Sequence, residues 1–201
     1  MKPAVRDWLL RSRPFLVYPA VITGLLVWVG ARGQIGLGPT AALWFAGLAF
    51  WTLLEWTLHR AMHLPMPWPA LSRFQDQAHL RHHREPHDLE HSVVTLSGSI
   101  PLALAFFGLA LAVLRDLDAA LAFQAGLMTG YVWYEFVHLA GHGAWRVPLL
   151  RGPVKYHALH HYQDWERGFG VTTPLWDWVF GTLPQPRAAK TFTHPSSSPA
   201  S

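Results

Sequence analysis

AALAFQAGLMTGYVWYEFVHLAGH, residues 119–142, is an apolar run that ends in two histidines four positions apart. Its apolar part, from Ala119 to about Leu139, has the length of roughly 20 residues that a membrane-spanning helix needs. On a helix, side chains at i and i+4 share a face. The stretch therefore predicts a spanning helix that delivers the imidazoles of His138 and His142 to one point at its end. Imidazole is the commonest protein ligand for iron, copper and zinc.

Three more apolar runs accompany it, at about Phe15–Val29, Ala41–Leu58 and Val93–Leu114. Lys2, Arg6, Arg11 and Arg13 precede the first, as in a signal peptide. Pro19 and Trp28 break that pattern, and Gly30–Gly38 offers no good A-x-A cleavage site. Charged residues make up only 14% of the chain, against about 25% in soluble proteins. Eleven tryptophans suit aromatic belts at the membrane interface. The fold expected is an all-α integral membrane bundle of about four transmembrane helices with a histidine-rich cap. The short turn at Asp116–Asp118 makes the third and fourth runs an antiparallel hairpin. From Pro184 the chain is rich in Pro, Ser and Ala, so a domain over 1–184 and a disordered tail over 185–201 are expected.

Charge sets the expected orientation. With four spans, the loop near Gly30–Pro39 and the turn near Arg115–Asp118 share one side and hold only Arg32 and Arg115. The other fourteen of the sixteen Lys and Arg (16 less 2) fall on the side of the N-terminus. The positive-inside rule makes that side cytoplasmic, and every histidine group falls there too. Dispersed basic residues explained by topology leave no reason to expect nucleic acid, despite a net charge of +4.

Ten of the thirteen histidines form four groups: His59 and His63; His79, His82 and His83; His138 and His142; His157, His160 and His161. Ten donors exceed the four to six that one first-row ion takes. In each H-x2-H-H group the adjacent pair splays on a helix, so neighbouring imidazoles reach different ions. Two metals in one histidine cage are expected. The absence of cysteine excludes thiolate ligands and disulfides. His87 and His91 lie outside the repeated spacing, and His194 falls in the tail.

Imidazoles bound to metal need carboxylates or carbonyls to fix their tautomer. Glu55 lies one turn before His59, and Glu135 three residues before His138; both interrupt apolar runs, where a carboxylate is costly without a role. Asp88 and Asp164 follow the two H-x2-H-H groups. These four are the candidates for orienting the histidines. Ion pairing, for example with Arg60, is the alternative. Trp51, Trp56, Tyr131, Trp133 and Tyr134 are candidates to line a groove between the second and fourth spans. Gly168, Gly170 and Gly181 suit tight turns beneath the cap.

Four stretches, E-W-T-L-H-R-A-M-H at 55–63, H-L-R-H-H-R-E-P-H-D at 79–88, Y-E-F-V-H-L-A-G-H at 134–142 and K-Y-H-A-L-H-H-Y at 155–162, together with G-F-G-V-T-T-P-L-W-D-W-V-F-G-T at 168–182, resemble the fatty acid hydroxylase superfamily of integral-membrane histidine-box enzymes. The likeness runs from about Ala49 to Thr182 and is nearest to the fatty acid 2-hydroxylase branch, although the first box here is H-x3-H where that branch has H-x4-H. His91 stands where an arginine is usual. The resemblance implies that the ten grouped histidines hold two iron ions, with zinc able to occupy the sites in purified protein. It implies O2 activation and oxygen insertion into a C–H bond of a lipid acyl chain, with no catalytic side chain beyond the metal ligands. Some relatives carry a fused haem domain; the residues before Pro14 are too few for one, so a separate electron-donor protein is expected.

Two other readings stay open. One is a sterol, carotenoid or glycerolipid hydroxylase or desaturase of the same superfamily. The other is a histidine-rich metal-binding or transport protein without enzymatic activity, which would favour polar residues near mid-membrane.

Overall fold

The computed structural model describes residues 13–89 and 92–185, which are all-helical with no strand among them. Four long helices form the bundle: α1 (Pro14–Arg32), α2 (Leu37–Ala61), α5 (Leu96–Leu114) and α6 (Leu117–Gly141). Shorter elements build the cap. These are α3 (Pro69–Gln75), a π-helical turn (Asp76–Leu80), α4 (Arg81–Arg84), α7 (Arg151–Tyr162) and α8 (Leu175–Val179). Residues 186–201, which include His194 and nearly all of the expected tail, lie outside the described residues, as does His91.

Local chemistry sets the ends of the long helices. Pro14 opens α1 at a position where its missing N–H costs nothing. Gly33 closes it with φ +61°, its N–H bonded to Val29 O. The Asp116 carboxylate accepts from Ala119 N at 2.7 Å and caps α6. The α5 helix begins at Leu96, three residues after the expected start at Val93, because Val94 pairs elsewhere: its N–H donates to Glu135 and its carbonyl accepts from Tyr131 Oη.

Three of the four long helices, α1, α2 and α5, are long and apolar enough to cross a membrane. The α6 helix is not among them. At 25 residues it exceeds the thickness of the bilayer core, but it carries Asp118, Gln124 and Glu135. Those side chains are buried in protein, since α6 is the central helix, packed on α1, α2, α5 and α7. A helix surrounded by other helices need not be apolar all round.

The tightest contact joins α2 to α6. A Cβ at Gly47 would collide with the Phe123 carbonyl, and one at Gly126 with the Trp44 carbonyl. Such close approach is how small residues let membrane helices pack. Tyr18, Trp51, Leu54, Leu127 and Tyr131 form the core beside it. At one end Arg32 Nε donates to Asp118 at 2.9 Å, which ties the last residue of α1 to the first turn of α6. The histidines gather at the other end.

Candidate metal centre

The ends of α2 and α6 and the cap elements bring all ten grouped histidines together, in two sets of five. His59, His63, His79, His83 and His160 form one cluster; His82, His138, His142, His157 and His161 form the other. Within each, five ring nitrogens lie within 4.8 Å of one another. Adjacent residues go to different clusters: His82 and His83 part company, as do His160 and His161. His87 is exposed and belongs to neither cluster.

The cage has the spacing of metal sites. His63 and His79 approach Nε2 to Nε2 at 2.8 Å, His79 and His83 at 3.0 Å, and His83 and His160 at 3.2 Å. In the second cluster His82–His138 and His142–His157 each approach at 3.0 Å. Two nitrogens each about 2.1 Å from one ion, at right angles across it, would be about 3.0 Å apart. His59 Nε2 and both ring nitrogens of His161 are buried and have no hydrogen-bond partner among the described residues. Buried polar atoms left so are costly, and a bound cation would satisfy them. The donor set of neutral imidazoles therefore fits a pair of metal ions.

The tautomers can be derived. A carbonyl only accepts, so His59 Nδ1, at 2.7 Å from Phe169 O, carries the ring proton and leaves its Nε2 lone pair to the cluster. His160 Nδ1 does the same with Arg167 O at 2.7 Å. Ser92 Oγ donates to Asp88 O, so at 3.0 Å it accepts from His82 Nδ1. Burial, and then the neighbouring imidazoles, hold the cap histidines well below their ordinary value: His63 falls to about 4 and His82 to about 3. Burial likewise takes His142 and His160 to about 4. Neutral rings keep their lone pairs free for a metal at neutral pH.

The expected carboxylates act one step further out. Glu55 does not reach His59 directly; it accepts from Thr172 N at 2.7 Å and from Thr172 Oγ1. It thereby holds the segment whose Phe169 carbonyl holds His59. Glu135 accepts from Val94 N at 3.0 Å and so anchors the segment that carries Ser92, the partner of His82. The two buried glutamates thus support one cluster each. The Asp88 carboxylate stands 3.8 Å from Arg81, and its carbonyl is the group that reaches His82 through Ser92. Asp164 faces Arg167 at 4.0 Å. The reason is geometric: a loop passing beside a ring supplies a carbonyl without burying a charge.

Asp177 is a residue that sequence reasoning did not single out. It is fully buried, and its carboxylate accepts from Trp56 Nε1 and Phe169 N at 3.0 Å, from Gly170 N at 2.8 Å and from Thr182 Oγ1 at 2.6 Å. The strap it pins, residues 167–182, turns at Gly168 and Gly181, with φ of +78° and +68°. Both carbonyls that hold cluster-one histidines belong to this strap. Its place in W-D-W, between two tryptophans, was the available signal.

An apolar cavity of about 320 Å³ opens on the clusters. His59 and His79 of the first cluster and His82 and His138 of the second line one end of it. Leu102, Ala103, Phe106, Gln124, Leu127 and Met128 line it deeper in the bundle. Of the five aromatics expected to line a groove, Trp51, Tyr131 and Tyr134 do so. Trp56 instead donates to Asp177, and Trp133 is exposed. The walls come from α1, α2, α5 and α6, more helices than the pair expected.

A family model described as "Fatty acid hydroxylase" matches residues 44–182. The chain belongs to that family. The match holds all ten grouped histidines and Asp177. A dihydroceramide fatty acyl 2-hydroxylase of Arabidopsis thaliana is 35% identical over 147 residues, which cover 71% of this chain and 61% of the relative. A ceramide very long chain fatty acid hydroxylase of Saccharomyces cerevisiae is 35% identical over 73% of this chain and 39% of its own length. The chain thus spans less than two thirds of either relative. The solved structure of full-length scs7p, with only its hydroxylase domain visible, superposes with a TM-score of 0.77 at 33% identity, covering 90% of this chain and 68% of the other.

Proposed function

We propose that this chain is a membrane-bound non-haem dinuclear-iron oxygenase that hydroxylates a lipid acyl chain, within a domain spanning 1–184. One observation carries the reading: histidines of both clusters form one end of a single apolar cavity. The ten histidines would hold the two ions, five to each. Bound there, iron supplies what zinc lacks, the redox chemistry that activates O2 for insertion into a C–H bond. Electrons would come from a donor protein.

The residues of the chain do the rest. Cavity-lining residues of α6 run from His138 to Gln124, a depth of about 21 Å at 1.5 Å per residue. An acyl chain laid along them has its reacting end at the histidines and its tail among side chains that are apolar apart from Gln124. The Phe169 and Arg167 carbonyls hold protons on His59 Nδ1 and His160 Nδ1, which keeps each Nε2 lone pair aimed into the cage. The relatives that act on ceramide-type acyl chains support an amide-linked acyl chain hydroxylated at position 2. All four long helices would span the bilayer, α6 included, with the metal centre and both termini on the cytoplasmic side, as the distribution of Lys and Arg supports.

Lipid analysis of cells with and without the gene tests this. Acyl chains one oxygen atom heavier should appear only with the gene, and should vanish in the His161→Ala variant. Lipid profiles that do not differ, with folded and metal-loaded protein in the membrane, would refute it.

A further inference from the structure

Phe106 of α5 lines two separate spaces. It lines the 320 Å³ cavity, and it also lines a second hollow of about 200 Å³ walled by Phe50, Leu109, Ala110, Val113, Leu114 and Phe123. Its ring meets Phe50 edge-on at 6.0 Å, and Phe50 in turn lies 5.8 Å from Phe123. The second hollow has no polar lining residue, and Leu109 and Val113 are exposed on the outside of the helices, where lipid would lie. From Phe106 to Leu114, the last hollow residue on α5, is about 12 Å of helix.

We propose that Phe106 is a specificity-determining residue: its ring is the partition between the acyl cavity and this outer hollow, and it sets the length of chain the protein encloses. The inference rests on the reading of the inner cavity as an acyl-chain site. The occupant of the outer hollow is the distal end of a long acyl chain, because the two spaces share one side chain and the shared wall is apolar on both faces. A chain that ends short of Phe106 is enclosed. A longer one must displace the ring.

The test uses the full-length protein, purified with metal, and a series of saturated N-acyl lipids of graded chain length. Bound lipid is measured by mass spectrometry, and hydroxylated chains are measured in cells. Phe106→Ala joins the two spaces, so the ratio of longest to shortest bound chain should rise by about fourfold, the equivalent of one further buried methylene. Phe106→Trp should move the ratio the other way. Adding Leu109→Trp to Phe106→Ala refills the hollow and should restore the parental ratio. An unchanged distribution in both single variants, with parental metal content, overturns the partition. Bound-chain lengths that shift with Phe106 while no variant hydroxylates anything would uphold the partition and refute the oxygenase.

Discussion

Asp177→Asn changes one atom in the most heavily used carboxylate of the cap. Oδ1 accepts three hydrogen bonds, from Trp56, Phe169 and Thr182, and Oδ2 accepts one, from Gly170. The amide oxygen of Asn would keep the Oδ1 side, where most of the bonds are. Its NH2 would then face Gly170 N, donor against donor, at the 2.8 Å now spanned by a hydrogen bond. A hydrogen bond to a charged group is worth about 1.5–3 kcal/mol, so the variant should lose roughly 2 kcal/mol and still fold. Asp177→Ala would leave the buried N–H groups of Phe169 and Gly170 without an acceptor, and Trp56 with only its bond to Thr182 Oγ1, and should cost about 4 kcal/mol. The consequence for metal is selective. The strap holds His59 and His160, and both belong to the first cluster. Groups that orient metal-bound imidazoles typically contribute about 10- to 100-fold in affinity. A chelator should therefore strip one metal per chain from Asp177→Asn that much faster than from the parent, with the second leaving at the parental rate. Both metals retained as in the parent would refute the argument, and so would equal acceleration of both.

Elemental analysis of protein made with excess iron should give close to two metals per chain, and folded protein that reproducibly binds one or none would contradict two five-histidine sites. Replacing Glu135 by Gln, or Ser92 by Ala, slackens the support of His82 and should weaken the second cluster by about tenfold while sparing the first; competition with a chelator would read this, and selective loss from the first cluster would count against it. The folded-state values of His63, His142 and His160, about 4, lie below the unfolded value of about 6.5, so the folded protein binds fewer protons in that window. Their contribution to stability is then complete above about pH 6.5 and is lost as pH falls toward 4. Metal-free protein should melt at a lower temperature at acid pH than at neutral pH, and a melting temperature that rises on acidification would reverse the sign of this account.

The bundle and the cage are written in the sequence because they depend on regular spacing. Apolar runs mark α1, α2, α5 and α6, and His59–His63 and His138–His142 sit at the ends of α2 and α6 by helical period. The division of His82 from His83, and of His160 from His161, follows from the same period, since adjacent side chains on a helix diverge. The supports of the histidines are not written that way. Phe169 and Arg167 act through carbonyls, which every residue owns, so no side-chain pattern marks them. Glu55 was visible as a carboxylate in an apolar run, but its partner Thr172 lies 117 positions away and is fixed only by the folded strap. The start of α5 was misplaced for a similar reason: Val93 and Val94 read as apolar helix, while the buried Glu135 on another helix draws the Val94 N–H out of that pattern.

The indirect placement of the glutamates has a physical logic that links the bundle to the cap. Glu55 and Glu135 both accept from backbone N–H groups of the cap, and the groups that touch His59 and His82 are a neutral carbonyl and a neutral hydroxyl. Each glutamate also joins a bundle helix to a cap segment: α2 to the strap through Thr172, and α6 to the segment before α5 through Val94. Each cluster draws one histidine from the bundle helix that carries its glutamate, His59 on α2 and His138 on α6. A shift of α2 against α6 would therefore move each histidine together with its support.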